Sequence, residues 1–338
     1  MKKLTIICFM SLILLLAAPI TSIYIVGSLR LHSDDANART VSQSDSSFLP
    51  LDERTVAVFL ETSERKIIIT ELEYVCGVVA CEMPMSYEDE ALKAQAVAAF
   101  TMLRQRQEKY AAQNVSNSDK DFVISSSAST VQGYITQEQM KAKWGNDFDE
   151  YYTRLKNLVA SVADEYIAYE GKPILAAYHS ISCGMTEDAG NVWGGSYPYL
   201  TPVSSANDSS AAGYSSTDEF TDAEFKKICK EKLKLTLGES SGNAGDWLGS
   251  CTRSDSGYVM SYEIGGKGVT GQKIRNAFGL RSACFTLKYS GGKFIFSVRG
   301  YGHGVGMSQY GANEMAKQGA TYREIIAHYY QGTEILKI

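Results

Sequence analysis

Residues 77–99 read GVVACEMPMSYEDEALKAQAVAA, and this stretch predicts how the first part of the domain folds. Upstream of it, Thr70 begins a Thr-x-x-Glu capping box, and apolar residues follow at helical intervals. Pro84 disfavours a helical conformation for the residue before it. The pattern therefore predicts a helix over 71–82, a tight corner at the proline and a second helix over 87–110.

Glu82 is a single carboxylate at the end of the first predicted helix, among Val, Ala, Cys and Met. The negative end of the helix dipole and the apolar neighbours both disfavour ionisation, so together they predict a raised pKa. A carboxyl group that stays protonated near neutral pH can act as a general acid. The alternative is an acid that is simply exposed at a helix end. Such acids are common, and the local residues alone favour that alternative.

The composition is that of a globular protein with an unusual N-terminus. The chain has 338 residues, of which 44% are hydrophobic and 21% are charged. Its net charge of −5 argues against nucleic acid as a partner, because phosphate binding needs a basic surface. After Lys2 and Lys3, residues 4–29 carry no charge and form a run long enough to span a bilayer.

The N-terminal pattern predicts a single-pass membrane anchor at 1–30, a polar linker at 31–50 and an extracytoplasmic domain at 51–338. The basic residues before the apolar run favour an inside N-terminus, which places the domain outside. The alternative is a secretory signal cleaved after Ala17-Ala18. The apolar run continues past that point, which favours the anchor.

The domain is predicted to have an α+β fold, because its helical and strand patterns are segregated rather than alternating. Short β-branched runs at 55–60 and 66–70 predict a hairpin. Residues 204–257 are predicted to form a polar loop or small subdomain, with no function assigned. Further helices are predicted at 137–143, 151–163, 221–233, 270–278, 308–318 and 322–330.

A glycine-rich loop follows a predicted strand at 294–298, within the sequence FIFSVRGYGHGVGMSQYGA. Glycine occupies every second position from 300 to 306, which lets the backbone approach a ligand or another chain closely. The spacing matches neither a Walker loop nor a dinucleotide-binding fingerprint. His303 lies inside this loop, and its ring either contributes to a binding site or caps the local backbone.

The segment PILAAYHSISCGMTEDAGNVWGGSYPYL, residues 173–200, predicts a buried strand at 174–181 followed by a polar loop. His179 and Cys183 could be zinc ligands, but no third ligand lies near them in the sequence, so zinc is a minor alternative. Trp193 and two nearby tyrosines form either core or a platform for sugar rings. The seven cysteines include no CxxC pair, and free buried thiols are expected. The alternative is a disulfide among the cysteines of the external domain, whose pairing the spacing does not specify.

Together these blocks resemble the stage II sporulation protein D family, which includes amidase-enhancer proteins. The resemblance covers nearly all of 51–338 and rests on LEYVCGVVACEMP, EALKAQAVAA, HSISCGMTEDAGNVW, VTGQKIRNAFGLRS and GYGHGVGMSQYGANEMAKQGATYREIIAHYYQGTEI. It implies a membrane-anchored lytic transglycosylase that acts on peptidoglycan between mother cell and forespore. The family's catalytic acid, the Glu of its EMP motif, falls on Glu82. Phe100 and Met102 depart from the family pattern, which usually has Arg and Tyr there.

The resemblance also implies a mechanism with one carboxyl group. Glu82 protonates the departing oxygen of a β-1,4 bond after N-acetylmuramic acid, then accepts the proton of the same sugar's 6-hydroxyl as a 1,6-anhydro ring closes. Glycosidases with two carboxylates need a second acid at a fixed separation, whereas this chemistry needs one and requires no metal or organic cofactor. The residues expected to bind the glycan are Ser182, His303, Gln309, Gly302, Gly304, Lys93, Gln95 and Tyr310.

The partners implied by the resemblance are peptidoglycan glycan strands, the sporulation amidase (stage II protein P) and stage II protein M. The membrane is a further partner, through the N-terminal helix. The alternative function is a non-catalytic, glycan-binding activator of a cell-wall amidase. The intact EMP motif favours the enzyme, and Phe100 in place of the usual Arg favours the binder.

Overall fold

The structure is a computed structural model, and it describes residues 53–113, 122–127, 132–238 and 243–338. The membrane anchor predicted at 1–30 and the linker predicted at 31–50 lie outside the described residues. Within the described part of the chain, no helix combines the length and the apolar character that a membrane span requires.

Helices dominate the first part of the described chain. Its elements are β1 (Thr55–Leu60), β2 (Arg65–Thr70), α1 (Glu71–Glu82), α2 (Asp89–Gln113), β3 (Val123–Ser125), α3 (Gln137–Trp144), α4 (Phe148–Ser161), β4 (Glu165–Tyr169), β5 (Lys172–Pro173), β6 (Tyr178–His179) and α5 (Ala189–Trp193). The predicted hairpin is confirmed, because β1 and β2 pair in antiparallel register. The predicted helix at 71–82 is confirmed with its boundaries. The short helix α5 was not predicted.

Strands are more frequent in the second part. Its elements are β7 (Ser215–Thr221), α6 (Asp222–Glu231), β8 (Leu248–Arg253), β9 (Val259–Ile264), β10 (Lys267–Val269), α7 (Gly271–Phe278), β11 (Phe285–Ser290), β12 (Lys293–Arg299), β13 (Met307–Ser308), α8 (Gln309–Lys317), α9 (Tyr322–Tyr329) and β14 (Glu334–Lys337). Three predicted helix starts fall one residue early, on Thr221, Thr270 and Ser308. These residues are N-caps, whose side chains accept backbone N–H groups while their own backbone is extended. The mixed α+β fold class is confirmed.

The capping box at the start of α1 forms as predicted. The Thr70 hydroxyl accepts the Glu73 backbone N–H at 3.1 Å, and the Glu73 carboxylate accepts the Thr70 N–H at 3.1 Å. At the other end, Met83 is extended with φ −122°, and its N–H donates to the Val79 carbonyl at 2.9 Å. The chain therefore leaves the helical path immediately after Glu82, where Pro84 predicts the corner.

Helix α2 runs through the centre of the first hydrophobic core, and it packs against α1, α8, α9 and β4. Alanines supply much of its buried surface, which allows these neighbours to approach closely. Phe100 and Met102 are buried in this core, at 3% and 6% exposure. The two residues that depart from the family pattern therefore contribute to packing, not to the protein surface.

A second hydrophobic core lies in the second part of the chain, where α6, α7 and the strands β7, β9, β11 and β12 meet. Phe225 and Phe294 stack at its centre, with 3.8 Å between ring centroids. Of the two alternatives for 204–257, the polar loop is wrong, because Phe225, Cys229 and Trp247 are buried in this core together with residues from 259–298. Strand β7 alternates exposed and partly exposed positions, which explains the polar sequence of that part of the segment.

The predicted strand at 174–181 is not continuous. Only β6, two residues long, is a strand within it, and β6 pairs in parallel with β13. Additional bridges join Ile181 to Tyr301 and Glu187 to Val305. The glycine loop therefore lies along 178–187, and the strand pairing is interrupted because the loop bends at its glycines, four of which have positive φ.

Candidate active site

Glu82 is the last residue of α1, and it is partly exposed. Its Oε1 accepts a hydrogen bond from the backbone N–H of Gly133, with 2.8 Å between the two atoms. Burial raises the pKa of the carboxyl group above its ordinary value, while Gly133, the Gln309 side chain and Lys143 each lower it by less. The net shift is upward, in the direction that the apolar neighbours in the sequence predict.

The Gly133 N–H reaches Glu82 because the segment 132–135 packs tightly against α1. A Cβ atom at Gly77 would lie 2.3 Å from the Tyr134 ring and 2.7 Å from the Ile135 carbonyl, so only glycine permits this approach. The Ile135 N–H donates to the Gly77 carbonyl at 3.3 Å. Gly77 therefore lets the segment that carries the Gly133 donor dock beside the acid.

Two predicted binding residues, Gln95 and Gln309, lie beside Glu82. Gln309 begins α8, and its Nε2 donates to Oε1 of Gln95 at 3.3 Å. The Gln309 side chain also hydrogen bonds to the Glu82 carboxyl group. Both glutamines are buried, and the amide nitrogen of Gln95 has no hydrogen-bond partner among the described residues. An acid and two amides from α1, α2 and α8 thus converge on one place.

Four residues around Glu82 were missed by the sequence analysis: Tyr178, Gln132, Tyr74 and Lys143. Tyr178 donates its hydroxyl to the Gln132 side chain at 3.3 Å, and Gln132 donates to the Tyr74 hydroxyl at 3.0 Å. Burial, and then the charge of Glu82, raise the pKa of Tyr178 well above its ordinary value, so it stays a neutral phenol. Lys143 donates to the Ala80 carbonyl at 2.7 Å, at the end of α1. Nothing local in the sequence links these residues to Glu82.

The glycine loop packs against its own protein. A Cβ at Gly302 would lie 2.7 Å from Cβ of His179, and one at Gly304 would lie 2.4 Å from the Tyr258 hydroxyl oxygen. Both glycines also have positive φ, at 118° and 85°. The close backbone approach predicted from the spacing is therefore present, and the surface approached consists of His179 and of Tyr258, the residue before β9.

His303 is tied to the backbone of the chain. Its Nδ1 accepts the Val305 N–H at 3.1 Å, and its ring also hydrogen bonds to the Tyr178 backbone. The ring lies 5.8 Å from His179 and 5.0 Å from Trp193, measured between centroids. Burial lowers the pKa of His303 well below its ordinary value, so the ring is neutral.

His303 also lines a small cavity. The cavity measures about 90 Å³, and it lies between the segment 187–192 and the second core. Its lining includes His303, Glu187, Tyr258, Met260, Thr270 and Gln272. The described hydrogen bonds of Glu82 come from Gly133 and Gln309, whereas those of His303 come from the backbone of Val305 and Tyr178.

Ser182 is fully buried and serves the fold. Its backbone N–H donates to Oδ2 of Asp208 at 2.6 Å, and the Ser308 hydroxyl donates to the same oxygen at 2.7 Å. The Ser182 hydroxyl accepts the Gly184 N–H at 3.1 Å. Asp208 therefore links the segment after β6 to the start of α8 by hydrogen bonds. Because Ser182 is buried, its hydroxyl group is not exposed to a ligand at the surface.

The remaining predicted binding residues, Lys93 and Tyr310, have surface partners. The Lys93 ammonium group lies 2.7 Å from Glu90, and the Tyr310 hydroxyl lies 3.3 Å from the Ser210 hydroxyl. Of the eight residues predicted to bind glycan, only Gln95 and Gln309 have described contacts that connect them to Glu82.

The zinc alternative rests on His179 and Cys183. The His179 Nδ1 lies 3.1 Å from the Val305 carbonyl, and the Cys183 sulfur lies 3.2 Å from the Ser256 carbonyl. In the ranges that the structure describes, no group of three or more His, Cys, Asp or Glu side chains is arranged to hold a metal ion.

Comparison with known proteins shows which family this chain matches. Residues 62–169, which include Glu82, Gln95 and Lys143, match the model of the family described as Stage II sporulation protein. The chain is 38% identical over 301 residues to Stage II sporulation protein D of Bacillus amyloliquefaciens, covering 88% of this chain and 84% of that protein. It is 39% identical over 267 residues to the protein of the same name from Bacillus subtilis, covering 78% of this chain and 73% of that protein.

A more distant relative carries another name. The Amidase enhancer of Bacillus subtilis is 26% identical over 305 residues, a match that covers 77% of this chain and 40% of that protein. The two matches to proteins named Stage II sporulation protein D are higher in identity and extend over most of both partners. On this evidence, the chain belongs to the Stage II sporulation protein D family.

Proposed function

We propose that this protein is a peptidoglycan lytic transglycosylase of sporulation, in which Glu82 acts first as acid and then as base. The observation that carries the proposal is the setting of the Glu82 carboxyl group. It is partly exposed, its pKa is raised by burial, and the Gly133 N–H and the Gln309 amide hold it in place. A proton donor in a glycosidic reaction needs these three properties together.

Glu82 donates its proton to the oxygen that links N-acetylmuramic acid to the next sugar. The bond between that oxygen and C1 breaks, and positive charge develops at C1, where the new carboxylate stabilises it. The carboxylate then takes the proton of the 6-hydroxyl while O6 bonds to C1. The products are a free 4-hydroxyl on the departing sugar, a 1,6-anhydro ring and a reprotonated Glu82.

The contacts around Glu82 suit a group that changes its charge twice. The Gly133 N–H bonds to Oε1, which leaves Oε2 to carry the proton. The Gln309 amide and Lys143 stabilise the ionised form, and burial stabilises the neutral form. Burial outweighs the other effects and favours the neutral form that gives the proton, while the hydrogen bonds support the carboxylate that takes one back.

The test is digestion of purified peptidoglycan by full-length protein in detergent, with 1,6-anhydro sugars measured by mass spectrometry. We expect wild type to release them and Glu82→Gln to be slower by at least about 100-fold, since the amide keeps the shape but cannot donate a proton. The exposed carboxylate of Glu138, on neighbouring α3, provides the matched control Glu138→Gln, which should cleave like wild type. Equal activity of the Glu82→Gln variant would remove Glu82 from the mechanism.

We also propose the placement that the N-terminal sequence predicts. The anchor at 1–30 would hold the domain outside the cell membrane, in the space between mother cell and forespore, where it would meet glycan strands, the amidase protein P and protein M. External protease should then cut the 31–50 linker and release the domain. If the domain is released only after the membrane is disrupted, the domain lies inside and the proposed orientation is wrong.

A second candidate function is a glycan-binding activator of a cell-wall amidase. It is favoured by the similarity to a protein named Amidase enhancer. It is also favoured by Phe100 and Met102, which are buried at the positions where the family resemblance leads us to expect Arg and Tyr. The same digestion separates the two functions. An activator produces no anhydro sugars alone, and it accelerates an added amidase equally well with Glu82→Gln.

A further inference from the structure

Two cysteines from distant parts of the sequence meet in a small buried cluster. Cys183 lies after β6, and Cys284 lies just before β11. They pack with Tyr258 and Ala283, and Cys183 is 8% exposed while Cys284 is fully buried. Neither sulfur belongs to the two large hydrophobic cores, and neither has a role in the proposed cleavage of glycan.

The two thiol groups lie side by side in this cluster, and each shifts the pKa of the other. The two sulfurs contact consecutive carbonyl groups of the same loop. The Cys183 sulfur lies 3.2 Å from the Ser256 carbonyl oxygen, and the Cys284 sulfur lies 3.5 Å from the Gly257 carbonyl oxygen. Both cysteines are unbonded thiols in the structure.

A guanidinium group lies beside one of the two thiols. Nη2 of Arg299 lies 3.6 Å from the Cys284 sulfur. The neighbouring Cys183 thiol and then the charge of Arg299 lower the pKa of the Cys284 thiol, against the opposing effect of burial. A lower pKa favours the thiolate, which is the form that attacks disulfides.

The other described cysteines lack such a setting. Burial raises the pKa of Cys76 and of Cys229 to about 12, and Cys81 reaches about 11 for the same reason. Cys251 is exposed on β8. Among the described residues, Cys183 and Cys284 therefore differ from the other cysteines, because they pack side by side and have an arginine as neighbour.

We propose that Cys183 and Cys284 form an intramolecular disulfide, which joins the segment after β6 to the β11–β12 pair of the second core. The oxidant is an external disulfide, of the kind met by chains outside the cytoplasm. The proposal is independent of glycan cleavage, because neither cysteine contacts Glu82.

The reaction balances as two thiol–disulfide exchanges. The Cys284 thiolate attacks one sulfur of the external disulfide, forms a mixed disulfide and releases one thiolate. Cys183 gives its proton to that thiolate and attacks the Cys284 sulfur, which releases the second half of the reagent as a thiolate. One thiol, one thiolate and one external disulfide thus become a protein disulfide, one free thiol and one free thiolate. The protein loses two electrons and the reagent gains them.

The bond would stabilise the contact between the two hydrophobic cores. Cys183 is five residues from Tyr178, whose pKa is raised by burial and then by the charge of Glu82, and Cys284 directly precedes the β11–β12 strand pair of the second core. A link that closes a loop of about 100 residues restricts the unfolded chain strongly. We expect the melting temperature to rise by roughly 5–10 °C on oxidation.

The experiment incubates reduced full-length protein, in detergent, with buffers of oxidised and reduced glutathione. Samples are quenched with acid, alkylated, digested and mapped by mass spectrometry. We expect a linked peptide pair containing Cys183 and Cys284, and a melting temperature that falls again when dithiothreitol is added. Cys251→Ser should behave identically, which excludes exchange through the exposed thiol, and Cys229→Ala, which removes a buried thiol elsewhere, should also retain the link.

The peptide map and melting temperature of the wild-type protein are sufficient to test the proposal, so the test does not depend on the folding of a cysteine variant. A map with only glutathione adducts, or with thiols free at both positions under oxidising buffer, overturns it. A linked pair without any gain in melting temperature also overturns it, because the native fold would then not accommodate the bond. Glu82→Gln should form the link to the same extent as wild type, so an inactive enzyme leaves this result intact.

Discussion

The helical corner at 71–113 and the glycine loop at 300–306 were both marked by the sequence, yet they relate differently to Glu82. The corner folds as predicted, and its acid meets amides from α2 and α8. The backbone of the loop also makes close approaches, but these are to His179 and Tyr258 and not to Glu82. A capping box and a proline specify local geometry directly, whereas glycine spacing indicates only that something approaches closely. The following predictions test this difference, starting with the largest effect.

Gly304→Ala should lower the free energy of unfolding by about 3 kcal/mol, because its new Cβ would lie 2.4 Å from the Tyr258 hydroxyl oxygen. Positive φ contributes to that loss, and Gly319→Ala isolates this contribution. Gly319 has φ +93° and open space around it, so its replacement should cost only about 1 kcal/mol. Denaturant titration measures both. Equal losses would show that the loop does not depend on contact with Tyr258, and would leave it free to approach a ligand.

Gln309→Leu should lower kcat/KM about tenfold, since a hydrogen bond to a charged group is lost. The lost bond had lowered the Glu82 pKa, so that pKa should rise further. A general acid works in its protonated form, and the decline in activity at high pH should therefore move upward in the variant. Gln318→Leu, at the exposed end of the same helix, is the control. A decline that moves downward would contradict the contact with Glu82.

His303→Ala should cost about 1 kcal/mol of stability and leave KM for glycan unchanged, because the ring bonds to the backbone of Val305 and Tyr178. Thermal melting and kinetics on the same preparation measure the two quantities. The family resemblance predicts that His303 binds glycan. A raised KM with an unchanged melting temperature would support that expectation over the structural role.

Glu82→Gln should change stability least, and only through pH. The folded state raises the Glu82 pKa, so between the ordinary and raised values the folded protein binds more protons than the unfolded chain. Wild-type stability therefore declines as pH rises through that window, and the amide is insensitive to it. The advantage of the variant should be absent at low pH and should grow with pH. Denaturant titrations across a pH series measure it, and an advantage that shrinks with pH would mean that the Glu82 pKa is lowered.

Much of the helical structure could be predicted, because caps and prolines act over four or five residues. Thr70, Thr221, Thr270, Ser308 and Thr321 each accept a backbone N–H at the start of a helix. The extent of the strand predicted at 174–181 was wrong, because only Tyr178 and His179 find strand partners, and these partners, Met307 and Ser308, lie far along the chain. The second core was missed for the same reason, as Phe225 finds its stacking partner in Phe294.

The sequence by itself determined the helix that ends at Glu82 and the apolar neighbours that raise its pKa. The sequence also determined the family, because the motifs at 71–99 and 300–335 are long and occur in the same order as in the family. Only the tertiary structure decided that Gly133 and Gln309 bond to this acid, that His303 bonds to the backbone, and that Cys183 packs beside Cys284. Local rules describe interactions within one turn of helix, whereas a site formed by several elements depends on how they pack around two cores.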